Sequence, residues 1–355
     1  MKAEDIAVRR LNSHGLINPK SKSPGDVVRW LGAVQAQEYG PTKWTLGMRM
    51  RSATGTTIED AFTRGDFVRT HILRPTWHFI PAEDLLWMLE LSAPRVHKAN
   101  AYMYRQTDLD KPTLKRALKV CRSALQGGRQ LTRKELASAL ADDGIGGKNL
   151  RITYIVMYAE LEGLICSGAR RGKQFTYALV SERAPTQNDL TREQGLAELC
   201  RRYFLSHGPA TLQDFVWWSG LTMVDARKGV EMAGYEIKEE QVDRISYWSS
   251  SERSHKKLLS PFALLTPTYD EYTLSYKDRS ALSGRVIRGQ IVETDIFQFI
   301  SIDGKIVGNW KRALKRDCVE IEINLLTELT KAEGAAVRQA ALQYAKFMEL
   351  PANLV

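Results

Sequence analysis

Residues 132–180 read TRKELASALADDGIGGKNLRITYIVMYAELEGLICSGARRGKQFTYALV and hold the clearest structural pattern in the chain. Thr132 is placed to cap a helix, with Glu135 at the capping-box position and Gly144 at the end of the helix. A second helix is expected over residues 150–162. Two short strands then flank a basic turn at residues 168–172. This order of helix, turn, helix and hairpin predicts a winged helix.

The same order of elements returns further along the chain. The helix LAELCRRYFLSHG precedes the short helix PATLQDFVWWSGL, which ends at Gly220, and the helix TMVDARKGVEMAG precedes strand-like alternation. Residues 1–125 carry helices near 4–13, 24–35 and 41–50, together with a hairpin FVRTHILRPTWHFIP. We interpret this region as a third, more distorted copy.

The C-terminal part has a different character. Apolar residues alternate along the stretch LLSPFALLTPTYDEYTLSY and along residues 285–323, which predicts strands. Residues 325–350 are predicted to form a C-terminal closing helix. The predicted fold class is therefore α+β, with tandem winged-helix domains and a C-terminal β-rich part. The predicted domains are 1–125, 126–190, 191–255 and 256–355.

The charge balance is basic. The chain has 355 residues, and its 51 Lys and Arg exceed its 41 Asp and Glu to give a formal net charge of +10. Such a balance is the electrostatic footprint of a nucleic-acid binder, although many basic proteins bind no nucleic acid. Double-stranded DNA is the partner we expect.

Several classes of protein are excluded by missing patterns. The start MKAEDIAVRRLNSHGL lacks the apolar core of a secretory signal, and no later run approaches membrane-spanning length, so we expect a cytoplasmic protein without a membrane partner. The cysteines have no paired spacing and the histidines form no HExxH pattern. We therefore expect no metal and no cofactor. The four scattered thiols are Cys121, Cys166, Cys200 and Cys318.

Two basic strips are candidate DNA contacts. The turn at residues 168–172 and its flank carry Arg170, Arg171 and Lys173, which can lie against phosphates. The segment KIVGNWKRALKR adds Lys311 and Arg312. The alternative for both strips is an ordinary solvated surface.

The hairpin RTHILRPTWHFIP offers a third candidate contact. It contains Arg74, Thr76 and His78, and strand alternation would place Thr76 and His78 on one face with Trp77 on the other. We count the three polar residues as candidate DNA contacts. The alternative is that His78 and Trp77 are packing residues.

Residues 32–40, GAVQAQEYG, place two glutamines one residue apart. The helix that starts at Pro24 should end here, because Gly40-Pro41 forces a break before the next helix. Gln35 would then lie in the last helical turn and Gln37 in the irregular exit, where the two amides can converge at a domain cleft. The alternative is a pair of surface glutamines at a fraying helix end.

These stretches together resemble one bacterial family. GAVQAQEYG, THILRPTWHFIP, the winged-helix repeats, LLTPTYDEYTLSYKDR and NWKRAL are similar to the winged-helix DNA-binding family that contains the azinomycin-resistance DNA glycosylase. The resemblance covers essentially the whole chain. It implies three tandem winged-helix domains and a β-rich part that cradle duplex DNA, and a β-hairpin that probes the duplex but has no assigned position here.

The resemblance also implies a catalytic motif and a substrate. In one branch of the family the motif is Gln-hydrophobic-Gln, which Gln35, Ala36 and Gln37 match, whereas another branch ends in Asp. Members excise N-alkylated purines and unhook interstrand crosslinks. The implied activity here is that of a monofunctional DNA glycosylase, a hydrolase of N-glycosyl bonds.

Amide chemistry agrees with such a substrate. A purine alkylated at N7 or N3 is cationic and leaves as a neutral base, so its glycosidic bond needs little general-acid help. A glutamine carbonyl can accept a hydrogen bond from the attacking water and face developing positive charge, but it is no strong base. We therefore expect unmodified DNA to be inert.

Two other functions remain open at this point. One is a DNA-binding regulator that does no chemistry, and the other is a winged-helix module that binds a protein. The chain shows no obvious dimerisation helix, and we expect a monomer.

Overall fold

The computed structural model describes residues 2–252, 258–283 and 298–355. It confirms the mixed α+β class. In the first half of the chain the elements are α1 Ile6–Ser13, α2 Pro24–Leu31, β1 Val34–Gln35, α3 Tyr39–Gly47, α4 Gly55–Arg64, β2 Phe67–Ile72, β3 Thr76–Pro81, α5 Leu85–Gln106, α6 Lys111–Leu125, β4 Leu131–Thr132, α7 Arg133–Asp142, α8 Asn149–Leu161, β5 Ile165–Ser167, β6 Thr176–Leu179 and α9 Val180–Arg183. In the second half they are α10 Arg192–His207, α11 Leu212–Ser219, α12 Met223–Met232, β7 Ile237–Val242, β8 Ile245–Ser250, β9 Ala263–Thr266, α13 Glu271–Leu274, β10 Phe299–Ile302, β11 Lys305–Leu314, β12 Val319–Leu325, α14 Lys331–Phe347 and β13 Ala352–Leu354.

The chain divides into two compact units, each built from separate stretches of sequence. The first unit comprises residues 1–59, 197–218 and 222–355, and the second comprises residues 60–196 and 219–221. The four domains expected from the sequence are a different, finer division, and they stay a prediction.

The second unit contains the stretch from residue 132 to residue 180. Thr132 Oγ1 accepts a hydrogen bond from the Glu135 N–H, and Glu135 Oε2 accepts one from the Thr132 N–H, so the predicted capping box is confirmed. Gly144 follows α7 at φ +76°, a conformation that glycine adopts without strain. α8 comes next, and β5 and β6 then pair antiparallel, with β4 on the other edge of β6. The two helices and the hairpin are confirmed as elements.

Apolar faces of three helices form the core behind this hairpin. The buried positions on α6 recur every three or four residues, which is the spacing of one helical face. The same face packs against buried leucines of α7 and isoleucines of α8. The principal members of this cluster are Leu114, Ala117, Cys121, Leu125, Leu136, Leu140, Ile152 and Ile155.

The predicted hairpin FVRTHILRPTWHFIP also lies in the second unit. β2 and β3 pair antiparallel from Phe67 opposite Pro81 to Ile72 opposite Thr76. The turn places Leu73 at φ +61°. This prediction is confirmed.

A five-stranded sheet dominates the C-terminal part of the first unit. Its strand order is β13-β12-β11-β10-β9, with β13 parallel to β12 and the other neighbours antiparallel. α14 packs on it through Tyr344, whose ring makes edge contacts with Trp310 at 4.9 Å and with Trp44 at 5.3 Å between centroids. The predicted closing helix is confirmed, and it spans Lys331–Phe347.

Two sequence predictions differ from the structure. The helix expected over residues 24–35 ends at Leu31, because Gly32 adopts φ +78° and turns the chain out of the helix. Residues 271–274 are helical rather than strand-like, because the Asp270 carboxylate accepts the Tyr272 N–H and caps α13. Part of the run expected as strands, residues 285–297, lies outside the described residues.

Candidate active site

The segment that carries the two glutamines leaves α2 and enters α3 through an extended stretch. Val34–Gln35 form β1, Gln37 lies in a bend, and α3 begins at Tyr39. The prediction that Gln35 occupies the last helical turn is wrong, since Gly32 ends the helix before it. The irregular position of Gln37 is confirmed.

The two glutamines have different surroundings. Gln35 is only 6% exposed, and its carbonyl oxygen accepts a hydrogen bond from the Thr42 hydroxyl at 3.1 Å. Its side-chain Oε1 is buried and accepts no hydrogen bond from the described residues. Gln37 is exposed to solvent. One amide of the motif is thus enclosed and the other open, and their convergence on one reacting point stays a prediction.

A buried carboxylate holds the backbone at Gln35. The Gln35 N–H donates to Glu271 Oε1 at 2.6 Å. Glu271 Oε2 accepts from the Trp218 indole N–H at 3.0 Å and from the Ser275 hydroxyl, and His207 Nε2 lies 3.7 Å from the same oxygen. Burial alone raises the pKa of this carboxyl, but the His207 imidazole, the Ser275 hydroxyl and the Gln35 N–H lower it to about 2. Glu271 is therefore ionised and acts only as an acceptor.

The residue before Glu271 anchors the helix that carries it. Asp270 is fully buried and forms two hydrogen bonds with the Arg49 guanidinium, at 2.9 and 3.0 Å. Such a bidentate pair fixes both the distance and the angle between its partners. The start of α13, and with it Glu271, is held at one place in the first unit.

Two buried histidines lie near Glu271. The rings of His14 and His207 are 4.7 Å apart, and His14 Nε2 lies 2.8 Å from the Tyr276 hydroxyl. Burial lowers the pKa of both imidazoles, and it outweighs the effect of Glu271, which raises the pKa of His207. The charge of Arg49 lowers both further. Both rings are therefore neutral at pH 7.

One predicted basic strip lies beside the glutamine segment. A Cβ built on Gly40 would lie 3.8 Å from Arg312 Nη2, and the Arg312 guanidinium lies 5.7 Å from the centre of the Tyr344 ring. Lys311 is exposed, and its Nζ lies 4.0 Å from Glu322 on the neighbouring strand. The structure therefore brings Arg312 close to the chain that follows Gln37.

The candidate contacts on the β2–β3 hairpin are less accessible than expected. Arg74 and Thr76 are partly exposed, but His78 is fully buried, with Nδ1 3.0 Å from the Thr76 carbonyl oxygen. The Trp77 ring packs against the His71 ring, 4.2 Å between centroids, and under the Arg69 guanidinium, also at 4.2 Å. His78 is thus placed as a packing residue and offers no surface to a phosphate.

The β5–β6 hairpin presents its basic residues unequally. Arg171 and Lys173 are exposed, whereas Arg170 is partly covered, with its guanidinium 5.1 Å from the centre of the Phe175 ring. Arg171 donates to Glu135 Oε1 and to the Gln130 carbonyl oxygen, both at 2.7 Å. Lys173 therefore carries the more available charge.

The sequence reasoning missed Glu271 and Trp218. Glu271 lies in a stretch expected as strand and Trp218 in one expected as helix. Only folding brings Glu271 to the Gln35 N–H and Trp218 to Glu271. The available signal was an acidic pair, Asp270 and Glu271, set between apolar and aromatic residues in a basic chain.

The described part of the chain contains neither a metal cluster nor a membrane span. In residues 2–252, 258–283 and 298–355, no group of three or more His, Cys, Asp or Glu side chains is placed to hold a metal ion. No helix in these ranges combines the length and apolar character that crossing a bilayer requires.

Comparisons with known proteins place the chain among DNA glycosylases. A family model described as DNA glycosylase AlkZ-like matches residues 28–347, a range that includes both glutamines. Among solved structures, the chain is similar to Streptomyces sahachiroi DNA glycosylase AlkZ, with a TM-score of 0.77 and 19% identity over 100% of both chains. At this identity the likeness shows the fold alone. No curated protein matches the chain.

Proposed function

The chain belongs to the AlkZ-like family of DNA glycosylases, and we therefore propose that it is a monofunctional glycosylase that excises N7- or N3-alkylated purines from duplex DNA. Interstrand crosslinks through such purines are further substrates in this proposal. The reaction joins a water oxygen to C1′ and breaks the bond from C1′ to the base nitrogen. The electron pair of that bond leaves with the base, which is released as a neutral molecule, and the proton that the water loses passes to the solvent.

The observation that carries this proposal is the Gln35 side chain. A buried amide oxygen without a donor is costly, and buried acceptors are normally satisfied by protein or water. An attacking water can donate to Gln35 Oε1, while the partial negative charge of that oxygen favours an oxocarbenium-like sugar. The exposed Gln37 amide then orients the water or a sugar oxygen from the solvent side.

Neither amide is a strong base, which limits the substrates. An alkylated purine already carries the positive charge that weakens its glycosidic bond, so no proton donor is needed at the leaving base. An unmodified purine lacks this activation. The proposed enzyme therefore leaves undamaged DNA intact and forms no Schiff base, so borohydride traps no adduct.

Basic residues in both units grip phosphates in this proposal. We assign the helices and hairpin at residues 126–190 to a winged helix whose tip presents Arg170, Arg171 and Lys173. Arg312 and Lys311 bind phosphates near the glutamine segment, and Arg74 and Thr76 add weaker contacts. The buried His78 is not part of this surface.

Base release from a defined duplex tests the proposal. We expect the wild type to release N7-methylguanine under single-turnover conditions without nicking the strand, and Gln37→Ala or Gln35→Ala to lower the rate by roughly 100-fold. Gln339→Ala removes an exposed glutamine on α14 and is the matched control. A crosslinked duplex is run in parallel.

Two results would contradict the proposal. Release from neither substrate, with DNA binding intact, would favour the alternative of a non-enzymatic DNA-binding protein. Full release by both glutamine variants would remove these residues from the mechanism.

A further inference from the structure

Glu271 is an unusual residue for its surroundings. It is a carboxylate with 0% exposure, and the chemistry proposed above assigns it no role. A buried charge is stable only when hydrogen bonds replace the water that surrounded it in the unfolded chain. One of those hydrogen bonds comes from the backbone of Gln35.

Its two oxygens have separate partners. Oε2 is held by the Trp218 indole N–H and the Ser275 hydroxyl. Oε1 is therefore left to face the Gln35 N–H, which it accepts at 2.6 Å. A hydrogen bond from an N–H to an ionised carboxylate is about twice as strong as one between neutral groups.

One partner of Glu271, Trp218, also lies close to the chain just before Gln35. A Cβ built on Gly32 would lie 3.9 Å from Trp218 Cη2 and 3.6 Å from Arg202 Cβ. Thr42 holds the other side of Gln35 through its carbonyl oxygen. The short strand β1 is thus held at the N–H and at the carbonyl oxygen of Gln35.

We propose that Glu271 is a positioning residue for base excision, which fixes the backbone of Gln35 and so aims the amide of that glutamine at the reacting sugar. The inference rests on the proposed glycosylase function. Glu271 itself contacts neither DNA nor the water in this proposal, because both of its oxygens already accept hydrogen bonds from N–H and O–H groups of the protein.

This role predicts a loss in the chemical step rather than in binding. Misplacing a reacting group by about 1 Å can cost 100-fold in rate. Glu271→Gln keeps the size of the side chain. Its amide, however, must place an NH2 group opposite one of the N–H or O–H groups that now donate to the carboxylate, so one of these hydrogen bonds is lost. We expect the single-turnover rate at saturating enzyme to fall roughly 10- to 100-fold, while the Kd for undamaged duplex changes less than about twofold.

A double-mutant cycle shows whether Glu271 acts through Gln35. If it does, adding Glu271→Gln to Gln35→Ala lowers the remaining rate by less than about twofold, because the amide to be aimed is already gone. A merely structural role would give losses that multiply. Glu160→Gln, which removes a buried carboxylate paired with His71, is the matched control and is expected to keep the rate within about twofold of the wild type.

Several outcomes would overturn the inference. It is wrong if folded Glu271→Gln excises at the wild-type rate. It is also wrong if the fold-decrease in rate of the double variant equals the product of the fold-decreases of Glu271→Gln and Gln35→Ala. If Glu271→Gln does not fold, Glu271→Asp keeps the charge and withdraws it by one methylene, and the same two criteria apply to it. Failure of the wild type to release any base is a different result, and it would contradict the proposed function instead.

Discussion

Gln35 and Gln37 show how side chains one residue apart acquire different chemical roles. Gln35 is enclosed, with its N–H on Glu271 and its amide oxygen unpaired among the described residues, whereas Gln37 is open to solvent. An enclosed amide is held for one orientation, while an exposed amide can reorient as DNA arrives. The proposed division of labour between the two follows from this difference in burial.

Buried imidazoles near the same site predict a dependence of stability on pH. Because burial lowers the pKa of His14 and His207, the unfolded chain binds protons below pH 6.5 that the folded protein does not. The free energy of unfolding should therefore fall as the pH drops from 7 to 5, with a slope of up to about 1.4 kcal/mol per pH unit for each histidine. Glu271 contributes in the same direction only below about pH 4.5, where its unfolded form gains a proton.

Thermal melting between pH 8 and pH 5 checks this prediction. His14→Gln should lower the slope of stability against pH, whatever it does to stability at pH 7. A slope that is flat in the wild type, or equal in the variant, would show that these imidazoles do not govern the acid response.

Among helices and strands, the end of α2 matters most for the site. Gly32 at φ +78° turns the chain into β1 three residues before Gln35. Had the helix continued, Gln35 would not sit in the extended stretch where its N–H meets Glu271. A single backbone conformation therefore connects the helix to the site.

Replacing this glycine should affect both stability and rate. Gly32→Ala has room for its methyl group, since the nearest atom would lie 3.6 Å away, so the cost of about 1–3 kcal/mol arises from the backbone conformation. Gly234→Ala is the matched control, with φ +77° and nothing within 4 Å of the added Cβ. Both variants should lose stability in denaturant melts, but only Gly32→Ala should also slow base release. Equal rates of base release in the two variants would show that the end of α2 does not affect catalysis.

Considered as a whole, the molecule carries candidate DNA contacts on both compact units. Arg171 and Lys173 lie in the second unit, and Lys311 and Arg312 in the first. The formal net charge of +10 favours association with a polyanion in general, so individual contacts need a test that separates them from bulk charge.

The salt dependence of DNA binding provides that test. For Arg171→Ala combined with Lys173→Ala, the slope of log K against log salt should fall by about 0.9 for each phosphate that the variant no longer neutralises. Arg338→Ala combined with Lys346→Ala removes the same charge from exposed positions of α14 and should change the slope less. Equal changes in the slope for the two double variants would show that the hairpin contributes only through the overall charge of the protein. Fluorescence anisotropy at several salt concentrations measures both.

Local signals made much of the fold predictable. The capping box at Thr132 and Glu135, the glycine after α7 and the turn between β2 and β3 each depend on residues within a few positions of one another. Such signals failed where two local structures compete. The helix over 24–35 was overextended because Val34 continued its apolar stripe, although Gly32 had already ended it.

The amino-acid sequence was sufficient to predict the basic strips and the α+β class, because these follow from composition and short-range pattern. The glutamine pair was identified as a catalytic motif through the resemblance to a known family. Only folding decided that Gln35 is buried, that Glu271 reaches it across 236 residues of chain, and that His78 faces inward. Pairing between distant polar residues is a property of packing, and it leaves no periodic trace in either partner's own neighbourhood. For the same reason the motif could be read from one short stretch, whereas the carboxylate proposed to aim it could be found only in the folded chain.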